Sequence, residues 1–120
     1  MSTDSRPKAP PELEGEALLE WGRICDELAA AGRLDQADRA VLTLYAETWA
    51  VYRGAMKAVT AFGPVVKYPN GVPGPLPAYK VSRECAVQLQ KLLADLGLTP
   101  AARHRMKAAT QEAPEGLPEF

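Results

Sequence analysis

Apolar positions in the first part of the chain recur at helical spacing. Ala17, Trp21, Ile24, Leu28 and Ala31 step by four, three, four and three, a heptad-like seam that Leu18 and Cys25 widen. The spacing predicts a helix over about residues 12–31. Glu12, Glu14 and Glu16 suit the positive end of its dipole, and Gly32 suits its stop. A second helix is predicted over about 36–61, from the N-cap candidate Asp35 to Gly63-Pro64. It carries two apolar rows, Val41-Leu44-Thr48-Val51-Ala55 and Tyr45-Trp49-Tyr52-Met56-Val59. Together they cover roughly 200°, about twice the minimum core stripe of an amphipathic helix. The first helix, folded back across the short "GRLD" connection, can hide one row. The other predicts a subunit interface, to which Tyr45, Trp49, Tyr52, Met56 and Val59 are assigned.

The helical period then breaks at "VVKYPNGVPGPLPAYK". Asn70-Gly71 reads as a type I′ turn, so a β-hairpin is expected over about 65–75. Pro69 and Pro73 withhold backbone donors at both ends, which bars growth into a broad sheet. A two-stranded ribbon is marginal alone in water, so it must lean on its own helices or on another copy. Val65, Tyr68, Asn70 and Gly71 are accordingly assigned to a contact between copies. A third helix follows over about 78–96, with Val81, Cys85, Leu89, Leu92 and Leu96 on its face and Gly97 as its end. Thr99 as N-cap and Pro100 at the first helical position open a short basic helix to about Ala109. Residues 1–11 read as a flexible lead-in and 110–120 as a disordered acidic tail.

Charge changes the picture. The 120 residues balance 14 Lys and Arg against 15 acids, which argues against a simple basic nucleic-acid binder. The distribution is uneven, however. Residues 64–109 hold seven cations, Lys67, Lys80, Arg83, Lys91, Arg103, Arg105 and Lys107, against only Glu84 and Asp95. Such segregation attracts a polyanion even where the whole chain is near neutral. On the second helix, Arg39, Arg53 and Lys57 share a back face with Ala46 and Ala50, small residues that would let a phosphate backbone approach. These ten cations are the charge-based candidates for DNA contact.

Catalytic chemistry is missing from the inventory. No Gly-rich phosphate loop occurs, and the single histidine, His104, sits among arginines. Cys25 and Cys85 fall within helical patterns and form no metal-type spacing, so free buried thiols are expected, with no metal and no cofactor. Neither a small-molecule substrate nor a membrane segment is indicated, and a soluble intracellular protein is expected. The short joint Gly97-Leu98-Thr99 before a basic helix also admits a dimeric helix-turn-helix-like DNA-binding regulator. A pure protein-interaction scaffold is the third reading.

The runs "LDQADRAVLTLYAETWAVYRGA" and "VVKYPNGVPGPLPAYKVSRECAVQLQKLLADLGLTPAARHRM" resemble the small subunits of tailed-phage terminases, from about residue 12 to residue 107. The elements that carry the likeness are Leu34-Asp35 with Asp38, Pro69-Asn70-Gly71, and the stretch from Leu96 to Arg103. Leu76-Pro77 departs from the Asn-Pro of many relatives. The resemblance implies a mainly α domain over 12–109 that assembles into a homo-oligomeric ring. It further implies a non-enzymatic role in the host cytoplasm: binding double-stranded viral DNA at the packaging start, and recruiting and regulating the large terminase subunit, which carries ATPase and nuclease. Within that role, Leu117 and Phe120 of the acidic tail become candidate anchors on the large subunit. No DNA-contacting residue is carried over from the family, so the cations above rest on charge alone.

Overall fold

The computed structural model describes residues 6–116, with side chains through Ala109. Its elements run in the order α1 (Gly15–Ala30), a 3-10 turn (Gln36–Asp38), α2 (Arg39–Phe62), β1 (Val65–Lys67), β2 (Pro73–Pro75), α3 (Pro77–Asp95) and α4 (Pro100–Gly116). The chain is mainly helical with one two-stranded antiparallel sheet. It divides into two compact units, one reaching Leu89 and the other starting at Gln90.

In the first unit, α1 packs along α2. Ala17, Trp21, Ile24, Cys25 and Leu28 are buried from α1, as its seam predicts, whereas Leu18 and Ala31 stay exposed. The turn after α1 closes through Gly32 N–H to the Ala29 carbonyl and Arg33 N–H to the Leu28 carbonyl, the double bond of a Schellman motif. Asp35 then caps the 3-10 turn, its Oδ1 accepting from Ala37 N–H at 3.0 Å. Residues 6–11, expected to be a loose lead-in, are tied to the helices instead. Arg6 pairs with Asp26 at 2.6 Å, Arg39 Nε donates to the Lys8 carbonyl at 2.8 Å, and Pro7 is buried.

The face that α2 turns toward the core differs from either predicted row. Leu42, Tyr45 and Ala46 are fully buried, so the contact is rotated toward the side expected to be the basic back. Ala46 therefore offers no phosphate access. The physical reason is polar. Tyr45 reaches Glu20 on α1, and that bond fixes which side of α2 faces inward. Of the first predicted row, Leu44 and Val51 are consequently left in solvent, at 56% and 53% exposure, Val41 and Thr48 are half-buried, and Ala55 is buried.

The hairpin pairs Val65 with Pro75, Val66 with Gly74 and Lys67 with Pro73. Its turn is not the type I′ expected. Gly71 N–H bonds the Tyr68 carbonyl, no non-glycine residue among the described residues has positive φ, and in this turn Gly71 alone does, at φ +84°. This is a type I turn over Pro69-Asn70 followed by a bulge glycine. Proline decides it. Pro69 suits the first central position of a type I turn, and in a two-residue loop it would flank the turn where a donor is needed. Asn70 Oδ1 accepts from Val72 N–H at 2.9 Å, and Tyr68 N–H reaches the Val72 carbonyl at 3.0 Å.

In the second unit, α3 ends in another Schellman closure, Gly97 N–H to Ala94 and Leu98 N–H to Leu93, with Gly97 at φ +74°. Thr99 Oγ1 accepts from Ala102 N–H at 3.1 Å, and Pro100 opens α4, both as predicted. Beyond its expected end at Ala109, α4 continues through residues 110–113, which hold neither proline nor glycine, and ends at Gly116. The tail anchors Leu117 and Phe120 lie outside the described residues.

Candidate nucleic-acid and subunit interfaces

Three ion pairs gather on α1: Arg6–Asp26, Arg23–Glu20 and Arg23–Glu27. By contrast, Arg53, Lys57, Lys67, Lys80, Arg83, Lys91, Arg103, Arg105 and Lys107 are exposed and form no ion pair among the described residues. Cations without carboxylate partners keep their field for an external anion. The third cation of the α2 set, Arg39, is engaged by the Lys8 carbonyl and stands apart from this group.

Within the first unit, aromatic rings organise the free arginines. Arg53 lies over Trp49 and Tyr52, 5.9 and 6.0 Å from their centroids, and those rings stand 5.8 Å from each other. On α3, Arg83 lies 5.5 Å over Tyr79 and points one guanidinium nitrogen at Met56 Sδ, 3.9 Å away. The arginines at 53 and 83 are thus held by ring faces while their charge remains open. Charge counting could find these cations but not their aromatic partners, because Trp49 and Tyr52 read as interface apolars.

In the second unit, the α4 cations do not form one stripe. At about 100° per residue, Arg103 and Lys107 share a face and Arg105 falls on the opposite side. Arg103 also donates to the Leu98 carbonyl at 2.7 Å, so it braces the start of the helix.

The predicted subunit-contact residues separate in the same way. Tyr45 is buried against α1 and is not available to a neighbour. Trp49, Tyr52, Met56 and Val59 are half-buried, with part of each surface open. Val65, Asn70 and Gly71 are exposed. Tyr68 turns inward on its own hairpin: its ring lies over Gly74, where a Cβ would meet Cε2 at 2.6 Å, and its hydroxyl donates to the Pro75 carbonyl. The hairpin therefore carries its own small core.

The network missed by sequence reasoning is Glu20, only 4% exposed. It accepts from Tyr45 Oη at 2.6 Å and from Arg23 at 2.9 and 2.5 Å. Burial pushes its carboxyl up, but the bonds from Arg23 and Tyr45 and the Arg23 charge together hold it below the ordinary value. Burial first, and then the Glu20 bond, raise the Tyr45 phenol. Cys25 and Cys85 are free, buried, and pushed up by burial, which makes them poor nucleophiles. No group of three or more His, Cys, Asp or Glu able to hold a metal occurs among the described residues. No described helix is long and apolar enough to cross a membrane.

Neither a curated protein nor a solved structure matches the chain. A protein family does, the one described as phage terminase, small subunit, over residues 17–113. That span begins in α1 and ends in α4, so it takes in the helical pair, the hairpin and the joint at Gly97. It also takes in the three motifs that carry the resemblance, at Leu34-Asp35, at Pro69-Asn70-Gly71 and from Leu96 to Arg103. The chain belongs to the phage terminase small subunit family, whose role lies in packaging phage DNA.

Proposed function

We propose that this protein is a non-catalytic packaging adaptor. It assembles into a homo-oligomeric ring, binds double-stranded viral DNA at the packaging start, and recruits and regulates the large terminase subunit in the infected host's cytoplasm. Family membership over residues 17–113 is the observation that carries the reading. The exposed cations without carboxylate partners support the DNA part. A closed ring would repeat each of them about one axis and sum their fields.

Assembly draws support from α2. Leu44 and Val51 stand two turns apart on one face, with half-buried Val41 and Thr48 beside them. This row is the apolar surface that α1 leaves uncovered, and the neighbouring subunit is the partner that would cover it. Trp49, Tyr52, Met56 and Val59 border it. Leu117 and Phe120 remain the proposed anchors for the large subunit.

The test is DNA retention measured against salt. Replacing Lys80, Arg105 and Lys107 by Gln should weaken binding and flatten the log–log salt dependence by roughly 0.9 for each phosphate that is no longer neutralised. Arg103 is spared because it also braces α4. An unchanged salt slope would remove these cations from the DNA interface.

A further inference from the structure

The hairpin has one closed edge and one open edge. Its register places the ladder bonds at Pro64–Leu76, Val66–Gly74 and Tyr68–Val72, which agrees with Leu76 N–H on the Pro64 carbonyl and Tyr68 N–H on Val72. Pro73 and Pro75 therefore occupy the positions whose nitrogens face away from β1. Having no N–H, they leave the outer edge of β2 without a donor. One of its outward carbonyls, that of Pro75, is already taken by the Tyr68 hydroxyl. On β1 the outward positions are Val65 and Lys67, and their amides and carbonyls have no partner among the described residues. Both residues are exposed, Val65 at 62%.

We infer that the outer edge of β1 pairs antiparallel with β1 of a second copy, joining two hairpins into a four-stranded sheet about a local two-fold axis. Self-pairing follows from what each edge can offer. The outer edge of β2 could supply acceptors only, whereas a second β1 returns both donors and acceptors. The register follows from charge. With Val66 opposite its own counterpart, Val65 faces the partner's Lys67, and all four outward amides and carbonyls of each chain are matched. A shift that brings Lys67 opposite the partner's Lys67 sets like charges against each other. In the chosen register the central valines form a non-hydrogen-bonded pair with Cα atoms about 4.5 Å apart.

Four hydrogen bonds and one valine pair are too little to hold a lone dimer. The contact gains strength where it repeats, so the inference rests on the assembly reading above. Neighbours within a cyclic ring of more than two copies are not related by a two-fold axis. The paired hairpins therefore join two rings.

Light scattering on the full chain and on Val65→Pro tests this directly. Val65 N–H takes no part in the internal ladder, so the substitution removes an outward donor without breaking a bond between β1 and β2. The native mass should halve while helical circular dichroism stays the same. Independently, Val66→Cys should form a disulfide-linked dimer on mild oxidation, its Cα spacing lying within disulfide range. Val65→Cys, opposite Lys67 of the partner strand, should form far less. An unchanged mass in Val65→Pro, or no Val66→Cys dimer, overturns the hairpin pairing and leaves the ring reading standing. A monomeric wild-type chain overturns both.

Discussion

The hydroxyl of Tyr45 donates to Glu20 Oε2 at 2.6 Å, across the interface between α1 and α2. Arg23 grips the same carboxylate from the solvent side through two nitrogens. A charged group is thereby fixed inside an otherwise apolar helix pair, with each oxygen bonded. Because Glu20 is buried while Arg23 reaches it from solvent, desolvation of the carboxylate offsets much of the Coulomb gain, and the pair sets geometry more than it adds stability. Here it selects the rotation of α2.

Tyr45→Phe keeps the ring and removes the donor. Glu20 is then buried with Arg23 as its remaining partner, and the cost should be about 1–3 kcal/mol in urea unfolding. A midpoint equal to that of the wild type would mean that water replaces the phenol without loss.

The same carboxylate sets a pH dependence. Its folded value lies below its ordinary value of 4.5. The unfolded chain therefore binds the proton first as pH falls. The contribution to stability is full above about pH 4.5 and is lost as pH drops through the folded value. Arg23→Met removes the largest opposing bond and leaves burial in command, which lifts the folded value, so the loss of stability on acidification should shrink or reverse while stability at neutral pH falls. Urea midpoints taken between pH 3 and 7 check this; parallel pH curves for the two proteins would contradict it.

Gly71→Ala should loosen the hairpin, since alanine at φ +84° costs roughly 1–2 kcal/mol. Asn70→Ala removes the acceptor for Val72 N–H and should act in the same direction. Faster amide exchange at Tyr68 and Gly74, with helix amides unchanged, is the expected signature.

Thr99→Ala deletes the N-cap bond to Ala102 and should cost about 0.5–2 kcal/mol. Exchange should quicken in the first turn of α4 and leave α1 and α2 as they were. Spread of the effect into the helical pair would show that the two compact units unfold together.

Leu44→Glu with Val51→Glu separates assembly from folding. Both side chains are more than half exposed, so the melting temperature of the subunit fold should change little while native mass falls. Trp49→Ala offers the contrast, because that half-buried ring also supports Arg53.

Local chemistry is readable from sequence wherever a short motif decides the outcome. Asp35, Gly63, Gly97, Thr99 and Pro100 all act at helix ends as their residue types require. The α1 seam is readable because each buried apolar residue repeats at helical spacing. What sequence conceals is the choice between similar faces. α2 has more apolar surface than one partner can cover, and periodicity does not say which part turns inward. That choice falls to Glu20, a residue that composition places in solvent. The turn type escapes for a related reason: Asn70-Gly71 is ambiguous until the proline before it is given its steric weight. Of the site, the free cations are legible, and their aromatic seats at Trp49, Tyr52 and Tyr79 are not.

The main pairings of the described fold join neighbours along the chain: α1 meets α2, and β1 meets β2. Loop closure is then short for every principal pairing, and little entropy is spent before the packing repays it. Folding should accordingly be fast, with helices and hairpin forming on microsecond scales. The helical pair can close while the rest of the chain is still being synthesised. Copies would then reach one another already folded, with the exposed row of α2 presented as a finished surface.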